Sequence, residues 1–233
     1  MRAKSNLGAA AAPFRRRLTA WFRRAGRDLP WRRTRDPWAI VVSEFMLQQT
    51  QVSRVLDYYP RFLRRYPTAD HLARAPHAQV REAWDGLGYY RRATNLHRLA
   101  RAVVQDHDGT LPSDMDALRA LPGVGHYTAG AVSCFAFEQP AATIDTNVGR
   151  VLARVFLGRK AAAKDGRTTR RLTTLALAVQ PRAGSAAWTF NQALMELGAL
   201  VCTARNPDCE HCPVRRDCRW VTRAARARST AKR

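Results

Sequence analysis

Four cysteines occur within a single short segment, residues 202–218, in the sequence CTARNPDCEHCPVRRDC. They are Cys202, Cys209, Cys212 and Cys218, and their spacing is C-x6-C-x2-C-x5-C. Four thiols on so short a segment are typical of a metal centre, either zinc or an iron–sulfur cluster. Zinc sites more often use two C-x2-C pairs, and a proline directly after a cysteine, as at Pro213, is typical of ferredoxin-like sequences. The segment therefore predicts a metal site and favours iron, with zinc left open.

The charge of the chain is strongly positive. It has 40 Lys and Arg residues against 18 Asp and Glu, which gives a formal net charge of +22 at pH 7. Such a surplus predicts a polyanionic partner, with nucleic acid the first candidate and an anionic membrane surface the second. No apolar run is long enough to span a bilayer, and residues 8–13 are too short for a signal-peptide core. We therefore expect a cytoplasmic protein, whose thiols stay reduced and available as ligands.

Apolar residues recur at helical spacing along most of the chain, and no segment alternates as a strand would. We therefore predict an all-α fold. Cys134 lies within one apolar helical stretch and is expected in the core, Ser113 with Asp116 predicts a capping box, and the polar residues 158–171 predict a loop. The clearest apolar stripes are Phe14, Leu18, Trp21 and Phe22; Val52, Val55, Leu56 and Tyr59; Leu96, Leu99, Ala100 and Val103; and Phe190, Leu194, Leu197 and Val201.

Two glycines flank one apolar residue in LPGVGHYTAG, residues 121–130, between two predicted helices. Gly123 and Gly125 would let the backbone turn tightly and leave the first amides of the next helix pointing outward. Those amides can bind a phosphate, because they lack helical partners and lie at the positive end of the helix dipole. Together with the charge of +22, the stretch predicts a helix-hairpin-helix clamp on a DNA backbone. The alternative is a helix–helix turn that simply needs glycine.

A single carboxylate interrupts the apolar run from Trp38 to Leu47, where only Ser43 and Glu44 are polar. Removal of Glu44 from water would favour its protonated form, which suits a general acid. The alternative is a glutamate that faces the helix surface or pairs with an arginine. The polar residues 48–51 at the end of this helix could bond to base edges or could form a solvated helix end.

A second carboxylate, Asp145, directly precedes a helix with Val148 and Leu152 on its apolar face. Its default role is to cap that helix. A carboxylate there can also stabilise a developing cation, provided that the helix start faces a cleft. Sequence spacing cannot show that Glu44 and Asp145 meet, so both roles remain open at this point.

Taken together and in this order, five segments resemble the helix-hairpin-helix DNA glycosylases, which are endonuclease III-like, and specifically the MutY-type adenine glycosylases. The segments are SEFMLQQTQV, GLGYYRRATNLH, LPGVGHYTAG, IDTNVGRV and NQALMELGALVCT. The resemblance runs from about residue 29 to Cys218 and implies a fold of two helical lobes. The implied organisation is a six-helix barrel with the hairpin at residues 37–138, an iron–sulfur cluster lobe from residues 13–36 and 139–220, and basic, disordered tails at residues 1–12 and 221–233.

The resemblance also implies what the site residues do. It implies a 4Fe–4S cluster on the four cysteines and a cleft in which Glu44 and Asp145 face each other. Glu44 would protonate N7 of an adenine that has left the base stack, and Asp145 would stabilise the oxocarbenium-like sugar that remains. Tyr127 and Asn147 match supporting positions in the pocket.

The DNA contacts follow from the same resemblance. Gln49 and Tyr89 match residues that wedge into the duplex, and Thr50 matches a contact to the opposite base. The implied partner is double-stranded DNA with a mismatched or damaged base pair, bound by a monomer. The full predicted DNA-binding set is Gln48, Gln49, Thr50, Leu87, Tyr89, Gly123, Val124 and Gly125.

Three expectations concern specificity. Tyr127 stands where strand-cleaving relatives carry a nucleophilic lysine, so the resemblance implies an enzyme without a strong lyase step. Thymine or uracil mismatch glycosylases can also carry a tyrosine there and remain the alternative, as does a non-catalytic iron–sulfur DNA-binding module. MutY-type enzymes usually have a further C-terminal domain that helps to recognise 8-oxoguanine, and this sequence ends fifteen residues after Cys218. We therefore expect adenine removal opposite both 8-oxoguanine and guanine, with a smaller preference than in two-domain relatives.

Overall fold

The protein is described by a computed structural model that covers residues 11–160, 166–182 and 184–223. Within these ranges the chain is helical and contains no β-strand, which confirms the predicted all-α class. No helix in these ranges is long and apolar enough to cross a membrane. The α-helices are α1 Ala12–Ala25, α2 Pro37–Leu47, α3 Val52–Arg65, α4 Ala69–Arg74, α5 His77–Ala83, α6 Arg91–Asp106, α7 Met115–Ala120, α8 His126–Phe135, α9 Thr146–Leu152, α10 Gly166–Val179 and α11 Gly184–Leu200.

The chain divides into two compact units, with boundaries after Arg27 and after Glu138. Residues 28–36 belong to the unit that contains α2 to α8, which ends at Glu138. The reason is that Trp31 is buried in that unit, where its ring packs edge-on against Tyr59 with centroids 5.5 Å apart.

The helix α2 forms the centre of the unit from residue 28 to residue 138. Pro37 starts it, and the Asp36 side chain caps it by accepting from the Trp38 amide at 3.0 Å. Residues 38–46 are all buried, and α2 contacts α3, α6 and α8. A helix that is apolar on every side must be covered on every side. Glu44 is therefore carried by the most enclosed helix of its unit.

Two local predictions in this unit need correction. The cap of α7 is Asp114, whose Oδ1 accepts from the amides of Asp116 and Ala117 at 3.0 and 2.9 Å. The predicted capping box from Ser113 to Asp116 is therefore wrong by one residue, because Asp114 already satisfies the amides at that helix start. On α3, Leu56 is 37% exposed although Val55 and Tyr59 are buried, so it lies at the edge of the predicted stripe.

The other unit joins α1 to α9, α10 and α11 around an aromatic cluster. The Phe14 ring packs edge-on against Phe156 and Phe190, with centroids 5.1 and 6.1 Å apart. The fully buried Glu196 on α11 accepts from Arg27 Nε and Nη2, both at 2.8 Å, and from the Arg27 amide at 2.9 Å. This bidentate pair fixes the segment after α1 to α11.

Two predictions of unstructured chain in this unit are wrong in part. The loop predicted at residues 158–171 holds the first turns of α10, which buries Leu172 and Val179 further on. Its residues 161–165 lie outside the described ranges. In the predicted tails, Ala11 is buried and α1 begins at the next residue, and residues 221–223 continue a short helical turn. The remaining tail residues, 1–10 and 224–233, also lie outside those ranges.

Candidate functional site

Glu44 lies in the interior of α2. Its side chain is only 5% exposed, and its neighbours Ser43 and Phe45 are almost fully buried. The alternative in which Glu44 faces the helix surface is therefore wrong. A carboxyl group in this environment has lost most of its water, as the sequence predicted.

The chain leaves α2 through a strained turn. Gln49 has a φ of +56°, which is unusual for a residue other than glycine, and its side chain is exposed. The turn is held by hydrogen bonds from the Thr50 hydroxyl to the Gln48 carbonyl and from the Thr50 amide to the Leu47 carbonyl, both at 3.4 Å. Left-handed residues of this kind cost free energy and concentrate at ligand-binding positions. Gln49 is therefore presented at the tip of the turn.

A second strained turn lies at residues 86–90. Tyr89 has a φ of +48° and is 62% exposed, so its ring projects into solvent as a wedge residue would. The turn is anchored on both sides, because the Tyr90 hydroxyl donates to Asp85 and the Arg81 guanidinium lies 5.0 Å from the Tyr90 ring centroid. Leu87 does not share this exposure. Its side chain is only 4% exposed and faces the core, so its contact with DNA stays a prediction.

In the hairpin between α7 and α8, only Gly123 of the two glycines is required by the conformation of the turn. Gly123 has a φ of +78°, and a Cβ there would lie 2.8 Å from Asn95 Cβ and 3.1 Å from Phe45. Both the backbone conformation and the lack of space require glycine, as predicted.

Gly125 does not need the conformational freedom of glycine, and its predicted part in phosphate binding stays a prediction. Its backbone is extended, with a φ of −92° and a ψ of 179°, and a Cβ there would meet nothing within 4 Å. It is the N-cap of α8, whose first turn carries the half-buried Tyr127. Val124 is 8% exposed and its amide donates to the Leu121 carbonyl at 3.1 Å, so its side chain is not placed to contact DNA.

Asp145 caps α9, which confirms its default role. Its Oδ1 accepts from the Val148 amide at 2.7 Å, and its Oδ2 accepts from Asn147 Nδ2 at 3.3 Å. Burial raises the pKa of the Asp145 carboxyl above its usual value, although these hydrogen bonds and the charge of Arg150 act in the opposite direction. Burial thus makes the ionised form of Asp145 less favourable than it would be in water. Carboxyl groups with such shifted pKa values are common in active sites.

An arginine that the sequence reasoning missed connects Asp145 to the cysteine segment. Arg150 Nη2 donates to Asn147 Oδ1 at 2.7 Å and to the Gly198 carbonyl at 2.6 Å, while its Nε donates to the Cys202 carbonyl at 2.8 Å. A Cβ on Gly198 would lie 2.7 Å from Asn147 Cβ, so α9 and α11 meet too closely for a side chain. The start of α9 and the first cysteine therefore share one hydrogen-bond network.

The four predicted cysteines line one pocket, together with apolar residues of α11 and the following loop. Burial raises the pKa of the Cys212 thiol to about 11, so in the metal-free chain this thiol stays protonated and metal binding must release the proton. Among the residues described, no three His, Cys, Asp or Glu side chains are arranged around a single metal ion. Four thiols around one pocket supply the donor set of a 4Fe–4S cluster, in which each thiolate binds a different iron atom.

Arg154 lies beside this pocket and is 1% exposed. Its Nη1 lies 3.3 Å from Cys202 Sγ and 2.7 Å from the Thr203 carbonyl, and its guanidinium lies 4.8 Å from the Trp220 ring centroid. A fixed positive charge next to the thiols would stabilise their ionised, metal-binding form. The one sequence signal for Arg150 and Arg154 was their four-residue spacing within the otherwise apolar stretch NVGRVLARVF.

The fold and the cysteine pocket together define a class of helical DNA-repair proteins with an iron–sulfur cluster. Residues 42–176 match the HhH-GPD superfamily of base excision DNA repair proteins, and residues 202–218 match the iron–sulfur binding domain of endonuclease III. The chain belongs to the HhH-GPD superfamily. Its four cysteines form the 4Fe–4S site that the resemblance implied.

Curated relatives agree with this assignment. The chain is 46% identical over 217 residues to a protein from Mycolicibacterium smegmatis named adenine DNA glycosylase, a match that covers 93% of this chain and 72% of the relative. A rat protein of the same name is 44% identical over 94% of this chain and 43% of its own length. A thymine/uracil-DNA glycosylase from Pyrobaculum aerophilum is 39% identical over 86% of this chain and 88% of that protein. The chain thus spans less than half the length of the rat protein.

Solved structures support the fold independently. A thermostable thymine-DNA glycosylase aligns with a TM-score of 0.82 at 32% identity, over 90% of this chain and 95% of that one. A trapped covalent intermediate of endonuclease III with DNA aligns with a TM-score of 0.74 at 25% identity, over 89% and 93%. The second protein is bound to DNA, and together with the charge of +22 this supports DNA binding by the present chain.

Proposed function

We propose that the protein is a monofunctional DNA glycosylase that hydrolyses the N-glycosidic bond of adenine mispaired with 8-oxoguanine or guanine. The proposal is carried by the 46% identity, over 93% of this chain, to a protein named adenine DNA glycosylase. The buried Glu44 and the half-buried Asp145 support it, because each has the environment that its role requires. We further propose that the protein binds its duplex as a monomer.

The reaction begins with extrusion of the adenine, because its glycosidic bond cannot be reached inside the base stack. Glu44 then donates a proton to N7 of the adenine. The proton neutralises the charge that accumulates on the purine as the bond from C1′ to N9 breaks, with the electron pair leaving on the base. The nearly complete burial of Glu44 suits this step, since a carboxyl group removed from water is a better proton donor at neutral pH.

Departure of the base leaves positive charge on the sugar, and the Asp145 carboxylate stabilises it. A water molecule adds to C1′ and releases a proton to solvent, from which the Glu44 carboxylate is reprotonated for the next turnover. Asp145 must be ionised to act, and Asn147 and the helix cap hold it in position through the hydrogen bonds at 3.3 and 2.7 Å. Tyr127 takes a supporting position in the pocket and supplies no amine, so no Schiff base with the sugar forms.

The exposed residues at the two strained turns hold the duplex open. Gln49 and Tyr89 occupy the space that the extruded nucleotide leaves, and Thr50 contacts the opposite base. The N-terminus of α8 at Gly125 binds a backbone phosphate through its first amides. Binding is then dominated by phosphate contacts, as the net charge of the chain suggests.

The deciding experiment is a single-turnover excision assay on matched duplexes that differ in one base pair. Adenine opposite 8-oxoguanine and adenine opposite guanine should both be processed, without strand cleavage before alkaline treatment. Thymine opposite guanine and uracil opposite guanine test the alternative that the Pyrobaculum relative represents. Removal of thymine or uracil in preference to adenine would refute the proposal, and binding without removal of any base would point to a non-catalytic module.

A further inference from the structure

One buried arginine contacts both strained turns of the unit from residue 28 to residue 138. Arg92 lies in the first turn of α6 and is 7% exposed. Its Nη1 faces the end of α2, at 3.0 Å from the Phe45 carbonyl and 2.7 Å from the Met46 carbonyl. The Gln48 carbonyl, at the start of the Gln49 turn, also accepts from Nη1. These carbonyls belong to the C-terminal end of α2, where a positive charge is favourable.

The other nitrogen of the same guanidinium faces the second turn. Arg92 Nη2 donates to the Leu87 and Gly88 carbonyls, both at 3.0 Å. The guanidinium carbon also lies 5.6 Å from the centroid of the Tyr89 ring. One planar group thus contacts carbonyls on both sides of the gap between the two turns. Each turn carries a left-handed, exposed residue at its tip, Gln49 in one and Tyr89 in the other.

We infer that Arg92 is a positioning residue for base extrusion, which holds the Gln49 and Tyr89 turns at a fixed separation so that both side chains enter the duplex together. The inference rests on the proposed function, since it assigns a structural cause to the extrusion step. Arg92 touches neither the substrate nor the reacting atoms in this scheme.

The geometry explains why arginine is needed at this position. The guanidinium presents its donors in a rigid plane, so its two terminal nitrogens can satisfy carbonyls on opposite sides at once. A lysine would keep the charge but would bring a single nitrogen in place of the two donors that face the two groups of carbonyls. Removing the donors would leave three buried and two part-buried carbonyls without this partner, and the two turns would be free to move independently.

The test compares two adenine substrates in single-turnover excision with enzyme in excess. In the first, adenine lies opposite guanine; in the second, adenine is an unpaired one-nucleotide bulge, which needs less work to extrude. Arg92→Met should slow excision from the mismatch by about a hundredfold, because misplaced contacts of this kind are costly. On the bulge it should slow excision by about threefold or less, because little unpairing remains to be done. Arg92→Lys should behave like Arg92→Met on both substrates.

The matched control is Arg98→Met, which removes the same charge from an exposed position on the same helix and should leave both rates unchanged. Melting curves and the visible absorbance of the cluster, recorded for each variant, establish that it is folded. If Arg92→Met does not fold, Arg92→Lys carries the comparison. Equal slowing on both substrates would overturn the inference, because it would mean a general disturbance of the helix that carries Glu44. Unchanged rates on the mismatch would overturn it as well.

A second measurement separates this inference from the proposed function. 2-Aminopurine in the place of the target adenine becomes fluorescent when it leaves the stack, whether or not any bond is broken. Wild-type protein and Arg98→Met should raise the fluorescence of the duplex on binding, and Arg92→Met and Arg92→Lys should fail to do so. A wild-type protein that raises the signal without excising adenine would refute the proposed chemistry and leave Arg92 in its role. An undiminished signal with Arg92→Met would refute the role alone.

Discussion

Replacing Asp145 by asparagine separates its two roles, because the structure shows which hydrogen bonds each variant keeps. The Oδ1 of an asparagine can still accept from the Val148 amide, as Asp145 does at 2.7 Å, and Asn is as good a helix cap as Asp. The bond from Asn147 at 3.3 Å is lost, because two amide groups would face each other there. That loss costs about 1 kcal/mol. Part of this loss is offset because asparagine is neutral, so the variant no longer buries the charge whose desolvation raises the pKa of Asp145.

We therefore expect Asp145→Asn to lie within about 1 kcal/mol of the wild type in free energy of unfolding. Asp145→Ala loses the cap as well and should be destabilised by about 1–2 kcal/mol. Excision should fall in both variants alike, by about 10²–10³-fold, which is the usual effect of removing one group that stabilises transition-state charge. Activity and stability should thus respond differently to the two substitutions.

The assay pairs thermal unfolding with single-turnover excision of adenine opposite guanine. The pH dependence gives a further check, because a carboxyl whose pKa is raised in the folded state contributes stability at low pH that is lost as the pH rises through that pKa. The stability of the wild type relative to Asp145→Asn should therefore fall as the pH rises above the ordinary aspartate range. Near wild-type turnover in Asp145→Asn would refute the catalytic role and leave only the cap.

Four further results are expected. Glu44→Gln should retain duplex binding and lose adenine excision, since an amide cannot protonate the base; measurable turnover at neutral pH would remove Glu44 from the mechanism. Protein purified without oxygen should carry about four iron atoms per chain, and Cys209→Ser should lower iron content and DNA binding together; stoichiometric zinc in active, colourless protein would contradict this. Gly123→Ala should destabilise the protein by about 1–3 kcal/mol because of its left-handed backbone and close neighbours, whereas Gly125→Ala should leave stability unchanged and weaken DNA binding. Affinity for undamaged duplex should fall steeply with salt, in proportion to the phosphates contacted, and a salt-insensitive affinity would contradict the argument from charge.

Features that depend on neighbouring residues could be predicted from the sequence. The apolar character of α2 placed Glu44 in the interior, and the position of Asp145 before a periodic helix predicted its cap. Predictions failed where a local pattern allowed two solutions. Before α7, both Ser113 and Asp114 are residues that can cap a helix. In α10, the first turns contain too few apolar residues for a helical periodicity to be visible in the sequence.

The buried arginines could not be predicted, because their environment is made by distant segments. Arg92 is buried because the carbonyls of two separate turns meet it, and Arg150 is half-buried where α9 and α11 converge. Apart from the spacing of Arg150 and Arg154 in an apolar stretch, a sequence rich in arginine gives no sign of which arginines are enclosed. The same limit applies to Glu44 and Asp145, since the environment of each could be inferred from its neighbours but their separation could not.

The π-helical turn Ala153–Leu157 directly extends α9 and contains Arg154. A π-turn is wider than an α-helical turn and holds one residue more. Removing one residue from the part after Arg154 would close it into an α-helical turn and leave one residue fewer between Arg154 and Lys160. The carbonyl of Lys160, which accepts from Arg154 Nε at 2.9 Å, would then be displaced from that donor. We therefore expect this segment to tolerate substitutions far better than a deletion. The number of residues in the turn, more than their identity, keeps Arg154 against the cysteine loop.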